Sequence, residues 1–191
     1  MRQEFSKINK IKGELNLPGD KSVSHRSVMF SAMAKGKSVV NNCLKSEDLS
    51  ATINAFRQMG CDIIEEGNTI FIEGKGFKGL KKPLQNLDFA NSGTTTRLMS
   101  GILSAQDFET CITGDPSLSK RPMKRVIDPL TKMGAVIKAS GDGFLPMKIF
   151  PSESLHPIEY ILPVASAQVK SAILLAGLHL NGKTIVIEEI P

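Results

Sequence analysis

The chain has 191 residues, enough for one large domain or one and a half. Its 41% hydrophobic and 23% charged residues describe a globular protein and exclude a disordered one. The net charge of +5 favours an anionic partner, while 5% aromatics and no Trp speak against a nucleic-acid surface built on stacking. Cys43, Cys61 and Cys111 are far apart, and His25, His156 and His179 are scattered, so neither a disulfide framework nor a metal site is indicated. Reduced cytosol is the expected compartment. No apolar run is long enough for a membrane span, and the N-terminus has no signal-like apolar core.

In chain order, the first predicted helix follows the turn Leu17-Pro18-Gly19 and carries SVMFSAMA, a nearly uncharged run. A strand is expected from Ser38. The span 48–59 is amphipathic: Leu49, Ile53, Phe56 and Met59 form one stripe, which predicts a surface helix. Met59-Gly60 then reads as a helix C-cap, because Gly tolerates φ > 0. A hairpin with its turn at Glu66-Gly67-Asn68 follows. The pattern then recurs. A second uncharged helix carries LMSGILSA, a strand covers Glu109 to Gly114, and a second Met-Gly stands at Met133-Gly134, 74 residues after the first. Its hairpin turn is Gly141-Asp142-Gly143. A third uncharged helix, SAILLAGL, and a strand from Lys183 open another copy.

The unit is therefore β-α-β-α-β-β, with its first helix buried and its second amphipathic. Two copies and the opening of a third are present, which predicts a fragment or a missing companion piece.

Each uncharged helix opens on small polar residues with a cation four positions on: Ser22 and Arg26, Gly93 and Arg97, Ser166 and Lys170. A helix start offers unpaired N–H groups and a partial positive charge, so it suits an anion. Lys21, Ser22 and Arg26 lie at the first start. The plainer reading there is a capped helix with two solvated cations. Asn91, Ser92 and Gly93 form a turn that exposes main-chain N–H groups, and a Thr-rich cap is its plainer reading. Lys120, Arg121, Lys124 and Arg125 crowd a helix start where acids are preferred, which points either to an anionic ligand or to a solvated basic patch. Ser166 and Gln168 offer a hydroxyl and an amide at the third start. His25 is a packing or hydrogen-bonding residue rather than a base, with Arg26 disfavouring its protonation. Asp48, Asp88 and Asp128 fit caps and surface helices.

PGDKSVSHR, NSGTTTRLMSG, KRPM and PVASAQVKSAILLAGL together, from about Gly13 to Pro191, resemble the 5-enolpyruvylshikimate-3-phosphate synthase family. The resemblance implies an inside-out α/β barrel of such units, with buried parallel helices and outer sheets. It implies that residues 1–19 supply strands to a domain completed by a C-terminal half, and that residues 20–191 are most of the substrate-binding N-terminal domain.

The implied reaction transfers the enolpyruvyl group of phosphoenolpyruvate to the 5-hydroxyl of shikimate 3-phosphate, without metal or organic cofactor. In that scheme Lys21 is the catalytic residue of this chain and contacts both substrates. Ser22, Arg26, Ser166, Ala167 and Gln168 hold shikimate 3-phosphate. Asn91, Gly93, Arg121 and Gln168 hold phosphoenolpyruvate. Glyphosate is the implied inhibitor, and Gly93, where some tolerant forms have Ala, implies sensitivity at that position. A cytoplasmic monomer is implied at full length, with no nucleic-acid or membrane partner. Acid and base carboxylates lie in the family's C-terminal half, so no turnover is expected of this chain alone. Ala90 departs from the Gly many members have there, and Ala167 from Ser. Two alternatives are a UDP-N-acetylglucosamine enolpyruvyl transferase, disfavoured by Ser22 and by Cys111 in a strand, and an anion- or RNA-binding module of related fold.

Overall fold

The computed structural model describes residues 3–189. Among the described residues five α-helices and nine strands give a mixed α/β architecture. Residues 3–19 contain no helix or strand, so the N-terminal strands expected there are not formed. The reason is physical: a strand needs a hydrogen-bonded neighbour. Phe5, Ile8, Ile11, Leu15 and Leu17 lie in solvent, at least 70% exposed.

Helix α1 (Lys21–Met33) is capped by Asp20, whose carboxylate accepts the Val23 N–H at 2.8 Å. It runs into β1 (Lys35–Val40). Helix α2 (Glu47–Gln58) is capped by Ser46 and carries Glu47 and Asp48 in its first turn, the favoured sign at that end. It stops at Met59, and Gly60 adopts φ +92. More of α2 is buried than one surface stripe, since Ala51, Thr52 and Ala55 join Leu49, Ile53 and Phe56 inside. The hairpin β2 (Asp62–Glu66) and β3 (Thr69–Lys75) completes a sheet of order β1-β3-β2, antiparallel throughout. Ile70, Ile72 and Gly74 alternate inward. Gly74 lets β3 lie on the end of α1: a Cβ there would stand 2.1 Å from the Ser31 carbonyl oxygen.

The second stretch follows the same progression. Strand β4 (Leu87–Asp88), α3 (Gly93–Ser104), β5 (Thr110–Thr113), α4 (Lys124–Lys132), β6 (Val136–Ser140) and β7 (Phe144–Phe150) succeed one another. Their sheet has the order β4-β5-β7-β6, with β4 parallel to β5 and the rest antiparallel. Met133 again ends the amphipathic helix and Gly134 adopts φ +94. Strands β8 (Glu159–Ile161) and β9 (Ile185–Ile187) form a parallel pair across α5 (Ala167–Gly177).

Helix α3 is the centre of the fold: ten of its twelve residues are buried. It crosses α5 at Gly101, where a Cβ would sit 2.1 Å from the Ala172 carbonyl oxygen. One core joins α1, α2 and α3 to the two larger sheets; a smaller one joins Val126, Leu130 and Met133 to Leu162, Val169 and Ile173. The expected all-round burial of the uncharged helices holds for α3 alone. Helices α1 and α5 each keep an uncovered side, with Phe30, Leu174 and Leu178 exposed. No helix among the described residues is long and apolar enough to cross a membrane.

Candidate anion site

Three helix starts carry the predicted residues other than Arg121, which stands just before α4, and each of the three is fixed by a short-range cap. Asp20 caps α1, Ser92 caps α3 through the Thr95 N–H at 3.1 Å, and Ser166 caps α5 through the Val169 N–H at 3.4 Å. Ser166 and Ser92 thus have the capping role of the plainer reading, whatever else they do. Helix α4 has no side-chain cap and no acid in its first turn; Arg125 adds positive charge to that end, while Lys124 there pairs with Asp142.

At the α3 start the groups converge. Arg97 Nη1 donates to Gln168 Oε1 at 2.9 Å, and Gln168 Nε2 donates to Thr94 Oγ1 at 3.0 Å. This ties α5 to α3 through one amide used at both ends. Arg121 donates to both oxygens of Asn91, side chain and main chain, the latter at 3.4 Å. Asn91 in turn donates to Asp115 at 2.7 Å. Gly93 is buried beneath the two guanidinium groups. A Cβ on it would meet Arg97 Nη1 at 2.8 Å and Arg121 Nη1 at 3.4 Å. Neither Arg97 nor Arg121 forms an ion pair among the described residues. Burial pulls the Arg97 guanidinium below its ordinary pKa, and the charges of Arg121 and Arg125 act in the same direction. Like charges gathered without an ion-paired carboxylate are what a bound anion would neutralise. Asp115 is held below the usual carboxylate range, first by the Leu118 N–H and then by Asn91 and Arg121 among others.

At the α1 start, Lys21 pairs with Asp48 of α2, and Ser22 is exposed. Arg26 donates to the Ser22 carbonyl at 3.2 Å and to Ser171 Oγ of α5 at 2.7 Å. The structure therefore links Lys21 to α2 and Arg26, with Ser22, to α5; it gathers Asn91, Gly93 and Arg121, which Gln168 joins through Arg97. Ala167 is exposed at the first position of α5, beside Ser166. The third cation of the series, Lys170, is occupied by Glu188. Ala90, in the turn before Asn91, adopts φ +47, a conformation that favours glycine.

Arg97, Asp48 and Ser171 were not among the expected site residues. Arg97 had a signal, its place in the series of cations four residues into each uncharged helix. Asp48 and Ser171 had none, because their partners lie 27 and 145 residues away. His25 is fully buried, and burial more than Arg26 lowers its pKa to about 4; Asp48 opposes the shift, and Lys21 and Arg26 reinforce it. No three His, Cys, Asp or Glu side chains among the described residues gather as metal ligands. A cavity of about 580 Å³ between α1 and α5 is lined mainly by Met29, Phe30, Leu174, Leu175 and Leu178. It meets the polar cluster only at Arg26 and Ser171, so the convergent polar groups, not this apolar groove, define the site.

Residues 5–191 match the family described as EPSP synthase (3-phosphoshikimate 1-carboxyvinyltransferase). The chain is 50% identical over 185 residues to the 3-phosphoshikimate 1-carboxyvinyltransferase of Streptococcus equi subsp. equi, covering 96% of this chain and 43% of that protein. It is 54% identical over 186 residues to that of Lactococcus lactis subsp. lactis, with the same coverage. The solved EPSP synthase of Acinetobacter baumannii superposes with a TM-score of 0.91 at 51% identity, over 94% of this chain and 41% of that one. The chain thus spans less than half the length of these relatives. On the match of the family description and of the fold, the chain belongs to the EPSP synthase family.

Proposed function

We propose that this chain forms the shikimate 3-phosphate- and phosphoenolpyruvate-binding wall of a 3-phosphoshikimate 1-carboxyvinyltransferase. The observation that carries the reading is the pair of guanidinium groups without ion-pair partners, Arg97 and Arg121, over Gly93, with Gln168 tying Arg97 to α5. Both substrates are dianionic or more and carry phosphate and carboxylate groups. In this reading Arg121, Gly93, Asn91 and Gln168 receive phosphoenolpyruvate. Ser22, Arg26, Ser166, Ala167 and Gln168 receive shikimate 3-phosphate, and Lys21 lies between the two. Lys21 is held by Asp48 meanwhile, so a substrate phosphate must share or displace that carboxylate.

The helix-sheet progression β4-α3-β5-α4-β6-β7 supports a repeated unit, and three such units with inner helices would give the inside-out barrel of the family. The exposed apolar side chains of residues 3–19 support their service as strands for a second domain. Glyphosate inhibition, a monomeric state and a cytoplasmic location belong to the same reading.

The test is isothermal titration of the chain with shikimate 3-phosphate, alone and after Arg26→Ala. Saturable binding weakened at least tenfold by Arg26→Ala is expected; binding indifferent to that substitution refutes the site. A UDP-sugar that binds in place of shikimate 3-phosphate would move the assignment to the related transferase.

A further inference from the structure

A buried polar chain runs from α1 through α2 to the start of α3, two of which present the site. His25 Nδ1 of α1 lies 2.8 Å from Thr52 Oγ1 of α2. Thr52 Oγ1 lies 2.8 Å from Thr95 Oγ1 of α3, and Thr95 Oγ1 lies 2.7 Å from Ser92 Oγ and 3.2 Å from the Asp48 carbonyl oxygen. All four side chains are at most a few percent exposed. At Thr95 the chain branches to two residues of the site: Asp48, whose carboxylate holds Lys21, and Ser92, which caps α3 immediately before Gly93.

The hydrogens can be assigned by counting, since each hydroxyl carries one. With a proton on His25 Nδ1, that N–H donates to Thr52 and Thr52 donates to Thr95. Ser92 also donates to Thr95, and Thr95 donates to the Asp48 carbonyl. Every contact is then satisfied and each hydrogen is used once. With the proton on Nε2, Thr52 must donate to the ring and Thr95 to Thr52. The Asp48 carbonyl then loses the Thr95 hydroxyl, and a buried Nε2–H is left with no partner. An orphaned buried N–H is rarer and costlier than an unfilled lone pair.

We propose that His25, Thr52 and Thr95 are positioning residues, a directional relay that fixes the Lys21–Asp48 pair and the Ser92-Gly93 turn in one arrangement for substrate. The assignment of substrate rests on the reading above; the relay itself does not. None of the three touches the cleft groups directly, so they act through Asp48 and Ser92. Low basicity of the ring keeps the relay in its neutral, directional state near pH 7.

The experiment has two arms on the 191-residue chain. Nitrogen-15 NMR of the imidazoles reads the His25 tautomer in the wild type: the Nδ1–H form is expected, and the Nε2–H form overturns the proposal. In the second arm, Thr52→Val keeps the volume and removes the relay, while Thr52→Ser restores the hydroxyl. Thr52→Val is expected to shift the Lys21 and Gly93 amide resonances and to weaken shikimate 3-phosphate about fivefold, the loss of one hydrogen bond. Thr52→Ser is expected to return both to within about twofold of wild type. Unmoved Lys21 and Gly93 resonances in Thr52→Val overturn the relay. Should the wild type fail to bind shikimate 3-phosphate, the substrate reading falls, and the tautomer and amide shifts still decide the relay.

Discussion

Gly93→Ala separates the architecture of the site from its chemistry. The added Cβ would stand 2.8 Å from Arg97 Nη1, where ordinary contact begins near 3.4 Å, and already touches Arg121 Nη1 at 3.4 Å. The atoms in the way are the far ends of two flexible side chains, not backbone. Arg97 must therefore retreat by roughly half an ångström, while the helix itself gains the better propensity of Ala at its first position. The fold should survive, with a stability change within about 1 kcal/mol. The Arg97–Gln168 contact of 2.9 Å is lost or lengthened, and a bound anion loses one charge-assisted hydrogen bond. Such a bond contributes about 1.5–3 kcal/mol, which is about tenfold to a hundredfold in affinity. Calorimetric titration with phosphoenolpyruvate and with glyphosate, each with shikimate 3-phosphate present, reads this directly. A variant that unfolds, or that binds both ligands as the wild type does, refutes the placement of the two arginines over Gly93.

Three other outcomes follow from the packing and the titrating groups. Gly101→Ala should destabilise the chain by about 2 kcal/mol or more in urea denaturation, because its Cβ would meet the backbone of Ala172, which cannot give way without parting α3 from α5. Ala90→Gly should stabilise by about 0.5–1 kcal/mol, since it relieves a left-handed alanine at φ +47 at some cost in unfolded-chain entropy. His25 and His179 are both lowered by burial to about 4, His179 with a smaller contribution from Lys78. Between pH 6.5 and 4 the unfolded chain binds more protons at these rings than the folded one. Their stabilisation is therefore full above pH 6.5 and is lost as pH falls toward 4, by up to about 3 kcal/mol for each ring. Urea midpoints across that range check the slope, and His25→Gln should remove about half of it.

Local signals in the sequence were strong and local structure followed them. The Met-Gly stops became the ends of α2 and α4 because only Gly takes φ near +90 without strain, and both hairpin turns fell on their Gly-rich tripeptides. The uncharged helices were harder to read. Composition makes α1, α3 and α5 look alike, yet only α3 has neighbours on every side, and that depends on which elements surround it. The site was legible as a set of helix starts but not as a network. Gln168 reaching Arg97 and Thr94, or Asp48 reaching Lys21, is a contact across helices, and no periodicity encodes it. The basic cluster at 120–125 split: Arg121 turned toward Asn91, while Lys124 pairs with Asp142 on the hairpin. The N-terminal segment has strand-like apolar residues and no strand, because pairing is a property of two segments and not of one.

The central claim is that three helix starts form one anion-binding wall for shikimate 3-phosphate. Its most direct test is a nitrogen-15 correlation titration of the chain with that ligand. The account predicts saturable shifts concentrated at Lys21, Ser22, Arg26 and Ser166 to Gln168. Absence of any shift at these amides up to millimolar ligand, or shifts confined to other parts of the chain, would contradict it.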